Sequence, residues 1–395
     1  MTPAPSDPLP RRERFTAGDP LRALAALSIV VVHAAYQFGF EPGGLPAVFG
    51  DVPARFFTAI PVAVNVFFVL SGYLIARPFV RAYLDGAPLP QIGRYLRNRA
   101  LRIVPAYWVT LTVLLLLYGT LGSSAWGVLE TYGFLQSLFL TPARGLFLQT
   151  WSVIVEVGFY LFVPLAAIVL STSAARRLDR RGRLSVLAVG LVVAWVVSAL
   201  IRNNVPETIG PFDKLQLTLP SFLWSFVPGI ALSVIELSGG RALAARANLR
   251  RLPVALLALA TFGYGVLMAM RGAPGLERSV AVIVFTTVAS GAVVAAPLVL
   301  QWSGRPCWRW LDNRPLHWVG VRSYSLYLVH LAVLEELREP VFDVASGWPA
   351  FGLLLLLGLP LSLLLSHLMY ELVERPFLQR RLPWRRPARE ATAAA

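Results

Sequence analysis

Residues 280–301 read VAVIVFTTVASGAVVAAPLVLQ, 22 positions without a single charged side chain. At about 1.5 Å of rise per residue, a helix over this stretch crosses the roughly 30 Å hydrocarbon core of a bilayer. Nine further stretches of similar length lie between basic or Pro/Gly-rich breaks: 21–39, 57–79, 103–121, 151–171, 184–201, 217–237, 252–270, 323–343 and 349–370. Those beginning at 21, 151 and 323 are the least apolar. The pattern predicts an all-α polytopic membrane protein of about ten transmembrane helices. The residues from Trp126 to Thr150 are apolar too, but Glu130, Pro142, Arg144 and Gly145 interrupt them. They read as a re-entrant or surface-lying segment.

The composition agrees. Of the 395 residues, 56% are hydrophobic and only 14% are charged, with a mean hydropathy of +0.63. Soluble domains of this size cannot hide that much apolar surface, and ordinary globular chains carry about 25% charged residues. A disordered chain, a small disulfide-stapled domain and most water-soluble enzymes are excluded. Cys307 is the single cysteine, so an internal disulfide and a cysteine-based zinc site drop out as well.

The net charge of +15 is carried almost wholly by arginine, Lys214 being the only lysine. In a soluble protein such an excess would point to nucleic acid. Here its distribution follows the spans: 29 of the 36 basic residues fall on the side shared by both termini, and seven on the other, including Arg55, Arg144, Arg202 and Arg338. Cytoplasmic loops carry such an excess, so both termini are expected in the cytoplasm and no nucleic-acid partner is expected. The first apolar stretch holds a histidine and no small-x-small site follows it, which argues against a cleavable signal peptide. The division expected is a cytoplasmic tail over 1–19, a ten-span membrane domain over 20–377 and a basic tail over 378–395. Chemistry would then have to take place inside the bundle. No internal repeat suggests the inverted halves of a transporter.

Ionisable groups inside a span cost about 2.5–3.5 kcal/mol or more, which makes each one a functional candidate. Arg22 and His33 lie eleven residues apart on the first span, on nearly the same helical face and about 16 Å apart along the axis. One face would present a cation at its entrance and an imidazole deep inside. A snorkelling arginine and a hydrogen-bonded core histidine fit the same spacing. After the second span, the loop from Arg94 to Arg102 holds four arginines in nine residues, followed by Pro105, Tyr107 and Trp108. Arg99 and Arg102, at i and i+3, could grip one phosphate together, or serve as a positive-inside anchor.

Further along, Ser71 and Gly72 allow two helices to approach closely. Glu156, six residues into the stretch that opens at Trp151 and Ser152, must face a polar cavity or a cationic partner. The stretch Ser323 to His330 is rich in hydroxyls, with Tyr327 and His330 at i and i+3. Glu374, Arg375 and Pro376 read as a helix-end ion pair with a stop signal. There is no G-x-S-x-G, H-E-x-x-H or Walker loop.

At these residues the chain resembles the acyltransferase-3 family, multi-spanning membrane enzymes that O-acylate sugars of bacterial envelopes and, in some members, macrolides. Arg22 and His33 match its R/K-X10-H motif, and Phe67 to Gly72 its FFxxSG segment. Arg99 to Arg102 match RxxR. Trp151, Ser152, Glu156, Phe159 and Tyr160 match WSxxxExxFY, and Ser323 to His330 match SYSLYLxH. The resemblance runs in order from Arg22 to Phe377.

It implies transfer of an acyl group, most often acetyl, from acyl-CoA to an alcohol, in a multi-pass protein of the bacterial inner membrane. His33 would be the base, with Arg22 as its partner and Glu156 as a further group of the catalytic set. Arg99 and Arg102, with Arg97 beside them, would hold the CoA phosphates. Ser71, Trp151, Ser152, Tyr160, Ser325, Tyr327 and His330 would line the substrate path. Acyl-CoA is the expected donor substrate, with no metal and no permanently bound cofactor, and the acceptor is a hydroxylated sugar, an envelope polysaccharide or a macrolide-type metabolite. Larger members add a C-terminal periplasmic esterase-like domain that is not in this sequence, so the chain is expected to act alone or to hand its acyl group to a separate partner. A transporter or flippase of a lipid-linked sugar, with His33 and Glu156 as a proton relay, is the reading from another class.

Overall fold

A computed structural model describes residues 15–40, 44–59, 62–118, 125–135, 149–172, 177–204, 217–247, 249–270 and 279–380. The described elements are helical. They run α1 (Gly18–Tyr36), short α2 (Gly44–Phe49) and α3 (Asp51–Ala59), α4 (Val62–Asp85), α5 (Ile92–Tyr118), short α6 (Ala125–Tyr132), α7 (Trp151–Thr172), α8 (Arg180–Asn204) and α9 (Leu219–Ile235). Then follow short α10 (Arg241–Arg246), α11 (Leu252–Met270), α12 (Val280–Trp302), α13 (Arg314–Phe342), α14 (Gly347–Met369) and short α15 (Arg375–Gln379).

Among the described residues nine helical runs are long and apolar enough to cross a membrane. The tenth long helix, α13, is too polar to qualify on composition, since Arg322, His330, Glu335, Glu336, Arg338 and Glu339 lie along it. It is nonetheless a 29-residue helix packed against both α1 and α14. Each of the ten apolar stretches thus corresponds to a long helix.

Two boundaries differ from expectation. The arginine-rich stretch expected as a loop is helical, because α5 begins at Ile92 and carries Arg94, Arg97, Arg99 and Arg102 on its first three turns. Arginine and leucine are good helix formers, and hydropathy registers the bilayer boundary, not the helix boundary. The second span begins at Val62, five residues later than expected, with α3 as a separate short helix before it. In the segment expected to be re-entrant, α6 lies along α5: Tyr107 Oη donates to the Thr131 carbonyl at 3.0 Å and Trp108 Nε1 to that of Tyr132 at 2.9 Å. Residues 136–148, and the outer parts of both expected tails, 1–14 and 381–395, lie outside the described residues.

The burial pattern is that of a protein dissolved in lipid. Val189, Val192, Val193, Val196 and Val197 of α8 face outward, whereas Ser225, Ser290, Ser325 and Ser366 are fully buried. Small and hydroxylated residues hold helices together where surrounding lipid removes the hydrophobic drive for association. Where α4 crosses α9, a Cβ on Gly229 would stand 1.9 Å from the Val69 carbonyl oxygen, and one on Gly72 would stand 2.3 Å from that of Phe226. Where α1 runs beside α13, a Cβ on Gly320 would stand 2.0 Å from the Asp19 oxygen. The close approach expected at Ser71–Gly72 is therefore present.

One end of the bundle gathers the arginines. Arg180 at the start of α8 reaches Asp85 at the end of α4 and the Leu237 carbonyl, and Arg102 of α5 meets Glu374 just beyond α14. At the opposite end, Arg338 Nε donates to the Gln37 carbonyl at 3.2 Å, rings of Phe38, Phe49, Phe57, Trp348 and Phe351 pack edge to face, and Phe342 lies tilted against Phe38. A kink at Glu236–Gly240, where Gly239 takes a φ of 115°, and a π-turn at Tyr370–Glu374 each carry a buried glutamate into the arginine-rich end. A π-turn is a one-turn widening of a helix, a feature that concentrates at functional places.

Candidate active site

The most unusual contact inside the bundle joins two histidines 297 residues apart. His33 Nδ1 lies 2.7 Å from His330 Nε2, the rings meeting edge to edge with centroids 5.0 Å apart and planes inclined by 25°. The parallel course of α1 and α13 places them: their glycine-tight contact at Asp19–Gly320 lies at the arginine-rich end, and both chains then run the same way to the histidines. His330 is completely buried, whereas His33 is half-buried. His33 stands in the last turn of α1, nearer the opposite end of that helix than its middle. The second His330 nitrogen, Nδ1, lies 3.1 Å from the Leu326 carbonyl of its own helix.

A column of polar groups continues from this pair. The Tyr327 ring is 5.8 Å from that of His330, and its hydroxyl donates to the Gln149 carbonyl at 2.5 Å and bonds Ser152 Oγ at 2.8 Å. Glu156, one turn along α7 from Ser152, accepts on Oε1 from Ser71 at 2.7 Å and from Tyr160 at 2.8 Å. A carboxylate at this depth is tolerable because two hydroxyls replace part of its hydration. Glu156 also lies within electrostatic reach of Tyr324 and Tyr327. Trp151 packs on Phe222 at 4.8 Å and walls this side of the column.

The expected arginines converge on the arginine-rich end but differ in state. Arg99 lies between two tyrosine faces, 5.7 Å from Tyr95 and 5.6 Å from Tyr160. Its Nε is buried without a hydrogen-bond partner, and no carboxylate pairs with it among the described residues. Arg102, one turn on, is held by Glu374 at 2.7 Å and lies over the Tyr324 ring at 5.8 Å, while Glu374 also takes the Ser325 hydroxyl. Arg22 pairs with Asp19 at 2.8 Å, and Asp19 is in turn within electrostatic reach of Arg102. Arg97 is exposed on another face of α5. The structure thus brings Arg22, Arg99 and Arg102 to one end of a polar column that includes Ser71, Ser152, Glu156, Tyr160, Ser325 and Tyr327, with His33 and His330 further along it.

Some partners escaped the sequence. Glu374 is not the helix-end mate of Arg375, which instead pairs with Glu371; the π-turn adds about one residue to the turn and rotates Glu374 inward. Tyr95, which flanks Arg99, and Tyr324, whose hydroxyl donates to the Ile103 carbonyl at 2.9 Å, sat within quoted stretches without an assigned role. Arg77 and Glu236 form a two-pronged buried pair at 2.8 and 2.9 Å, joined by Tyr73 at 2.8 Å, in two spans that read as plain. Arg322, stacked between Trp318 and Tyr370, binds Glu371 at 2.9 Å and His367 at 3.1 Å. Spacing along one helix gives a face, and none of these cross-helix partners is encoded locally.

A polytopic helical bundle with a buried imidazole pair at one end of a polar column and unpaired guanidinium at the other has the groups required for general-base transfer from an anionic donor. The family follows from comparison: a model described as an acyltransferase domain, Acyl_transf_3, matches residues 19–367, and the chain belongs to the acyltransferase-3 family. Its relatives include the peptidoglycan O-acetyltransferase OatA of Listeria monocytogenes, 23% identical over 91% of this chain and 55% of its own length. The putative peptidoglycan O-acetyltransferase YrhL of Bacillus subtilis is 26% identical over 93% and 55%, and the O-acetyltransferase OatA of Staphylococcus aureus 23% over 92% and 57%. The chain therefore spans little more than half the length of these relatives. No solved structure gives a significant match.

Proposed function

We propose that the protein is a membrane O-acetyltransferase that moves an acetyl group from acetyl-CoA to a hydroxyl of a cell-envelope polysaccharide or lipid-linked sugar. The observation that carries this reading is His33 held against His330 inside the bundle, on the same column as the unpaired Arg99. The names of the relatives support the acetyl group and the envelope acceptor. The arginine-rich end would face the cytoplasm, where the positive-inside bias places it and where CoA is available.

In this reading the CoA phosphates sit at Arg99, with Arg22 and Arg102 adding positive potential, and the thioester lies along Tyr324 and Tyr327 toward His33. His33 takes the acceptor's hydroxyl proton while its oxygen forms the ester bond to the acetyl carbonyl carbon. The carbon–sulfur bond breaks, and the proton passes to the departing CoA thiolate, giving ester and free CoA. Glu156, with Ser71 and Tyr160, orients the sugar or the donor arm.

The test is purified protein in detergent or vesicles with labelled acetyl-CoA and an envelope-type oligosaccharide. Label is expected to move to the sugar, and His33→Ala to lower turnover by at least about 100-fold while the melting temperature holds. Full activity in that variant would remove His33 from the chemistry. A protein that only moves protons and sugar across the bilayer would leave acetyl-CoA intact.

A further inference from the structure

We propose that His330 is the positioning residue that fixes His33 as its Nδ1–H tautomer and leaves His33 Nε2 as the atom that accepts the acceptor's proton. This rests on the assignment of His33 as base for acyl transfer. The hydrogen-bond chain carries it. A carbonyl oxygen only accepts, so the contact of His330 Nδ1 with the Leu326 carbonyl requires a proton on Nδ1. A neutral ring then has a bare Nε2, and the 2.7 Å contact with His33 Nδ1 requires the proton to sit on His33 Nδ1. Neutrality of His330 follows from its surroundings: the residue is 0% exposed, and neither imidazole has an acidic partner among the described residues. The remaining nitrogen, His33 Nε2, is on the half-buried residue of the pair.

The arrangement has the logic of a base oriented by a third group, with a neutral imidazole where soluble hydrolases use a carboxylate. The difference has a chemical consequence. When Nε2 takes the hydroxyl proton, no buried anion holds the imidazolium, so the proton is returned promptly to the thiolate that the broken carbon–sulfur bond releases. The base is regenerated neutral in each cycle, and His330 neither gains nor loses a proton. The two rings lie edge to edge and within 25° of coplanar, so rotation of the His33 ring about its Cβ–Cγ bond would break the hydrogen bond.

The test uses the full chain in nanodiscs, with histidine labelled in both ring nitrogens and the His33 signals identified as those lost in His33→Gln. Nitrogen NMR is expected to show His33 protonated at Nδ1 and bare at Nε2, with a scalar coupling across the Nδ1···Nε2 bond. A His33 proton on Nε2 would overturn the proposal. In kinetics, His330→Ala should lower kcat at least about 100-fold with the KM for acetyl-CoA within about twofold, and His330→Gln, whose amide oxygen can accept from His33 Nδ1, should recover at least tenfold over alanine. Alanine activity within threefold of the parent would remove the positioning role. If the parent protein transfers no acetyl group, the functional reading falls, while the NMR result still decides the tautomer.

Discussion

At the scale of single residues, Arg99 and Arg102 show how one motif can contain two unlike parts. They sit one turn apart on α5, yet Glu374 claims Arg102, whereas among the described residues Arg99 is flanked by the Tyr95 and Tyr160 rings and its buried Nε has no hydrogen-bond partner. Arg99→Ala is therefore expected to raise the KM for acetyl-CoA about tenfold with little change in thermal stability, one lost charge-assisted bond being worth about 1.5–3 kcal/mol. Arg102→Ala leaves Glu374, 1% exposed, as an uncompensated buried carboxylate, and should cost about 3 kcal/mol of stability. Melting curves and donor titrations of the two variants separate these effects, and a reversed pattern would exchange the roles. The sequence made this pair legible as cations on one helix face. It could not show that a glutamate 272 positions away would engage only one of them, because a π-turn sets the register of Glu374.

At the scale of elements, the ten apolar stretches were readable because lipid demands runs of fixed length, and each is a long helix. What the stretches hid were features independent of hydropathy: the start of α5 among arginines, the short α2 and α3, the kink at Gly239 and the π-turn at Tyr370–Glu374. The α4–α9 crossing was half legible, through Ser71–Gly72 on α4, while Gly229 on α9 carried no such signal. That position is the more confined of the two glycines. Gly229→Val should destabilise the protein by about 3 kcal/mol, since the clash is with backbone that cannot rotate away. Gly190 in α8, where a Cβ would meet nothing within 4 Å, serves as the control: Gly190→Ala should hold or raise the melting temperature. Equal losses in both variants would mean that the crossing is not a tight constraint.

At the scale of the whole molecule, the polarity of the bundle can be tested at its only cysteine. Cys307 lies in the α12–α13 connection at the arginine-rich end. If that end is cytoplasmic, a membrane-impermeant maleimide should label Cys307 in inside-out vesicles and not in intact cells; the opposite result would invert the topology. Burial pushes the Cys307 thiol above its ordinary value, so less of it is thiolate at neutral pH, and labelling should quicken as pH rises through and beyond about 8.5. The chain-wide distribution of arginines sets the expectation for this orientation, but nothing in that distribution revealed that the first and the ninth long helices would run side by side. That pairing governs the order in which the protein becomes competent. During synthesis α1 enters the bilayer with His33 lacking its eventual partner, and eight long helices are made before His330 follows on α13. Until then the imidazole lacks its His330 contact, so the proposed catalytic centre is among the last features that the growing chain completes, and a polypeptide stopped after α12 would hold most of the bundle and none of the pair.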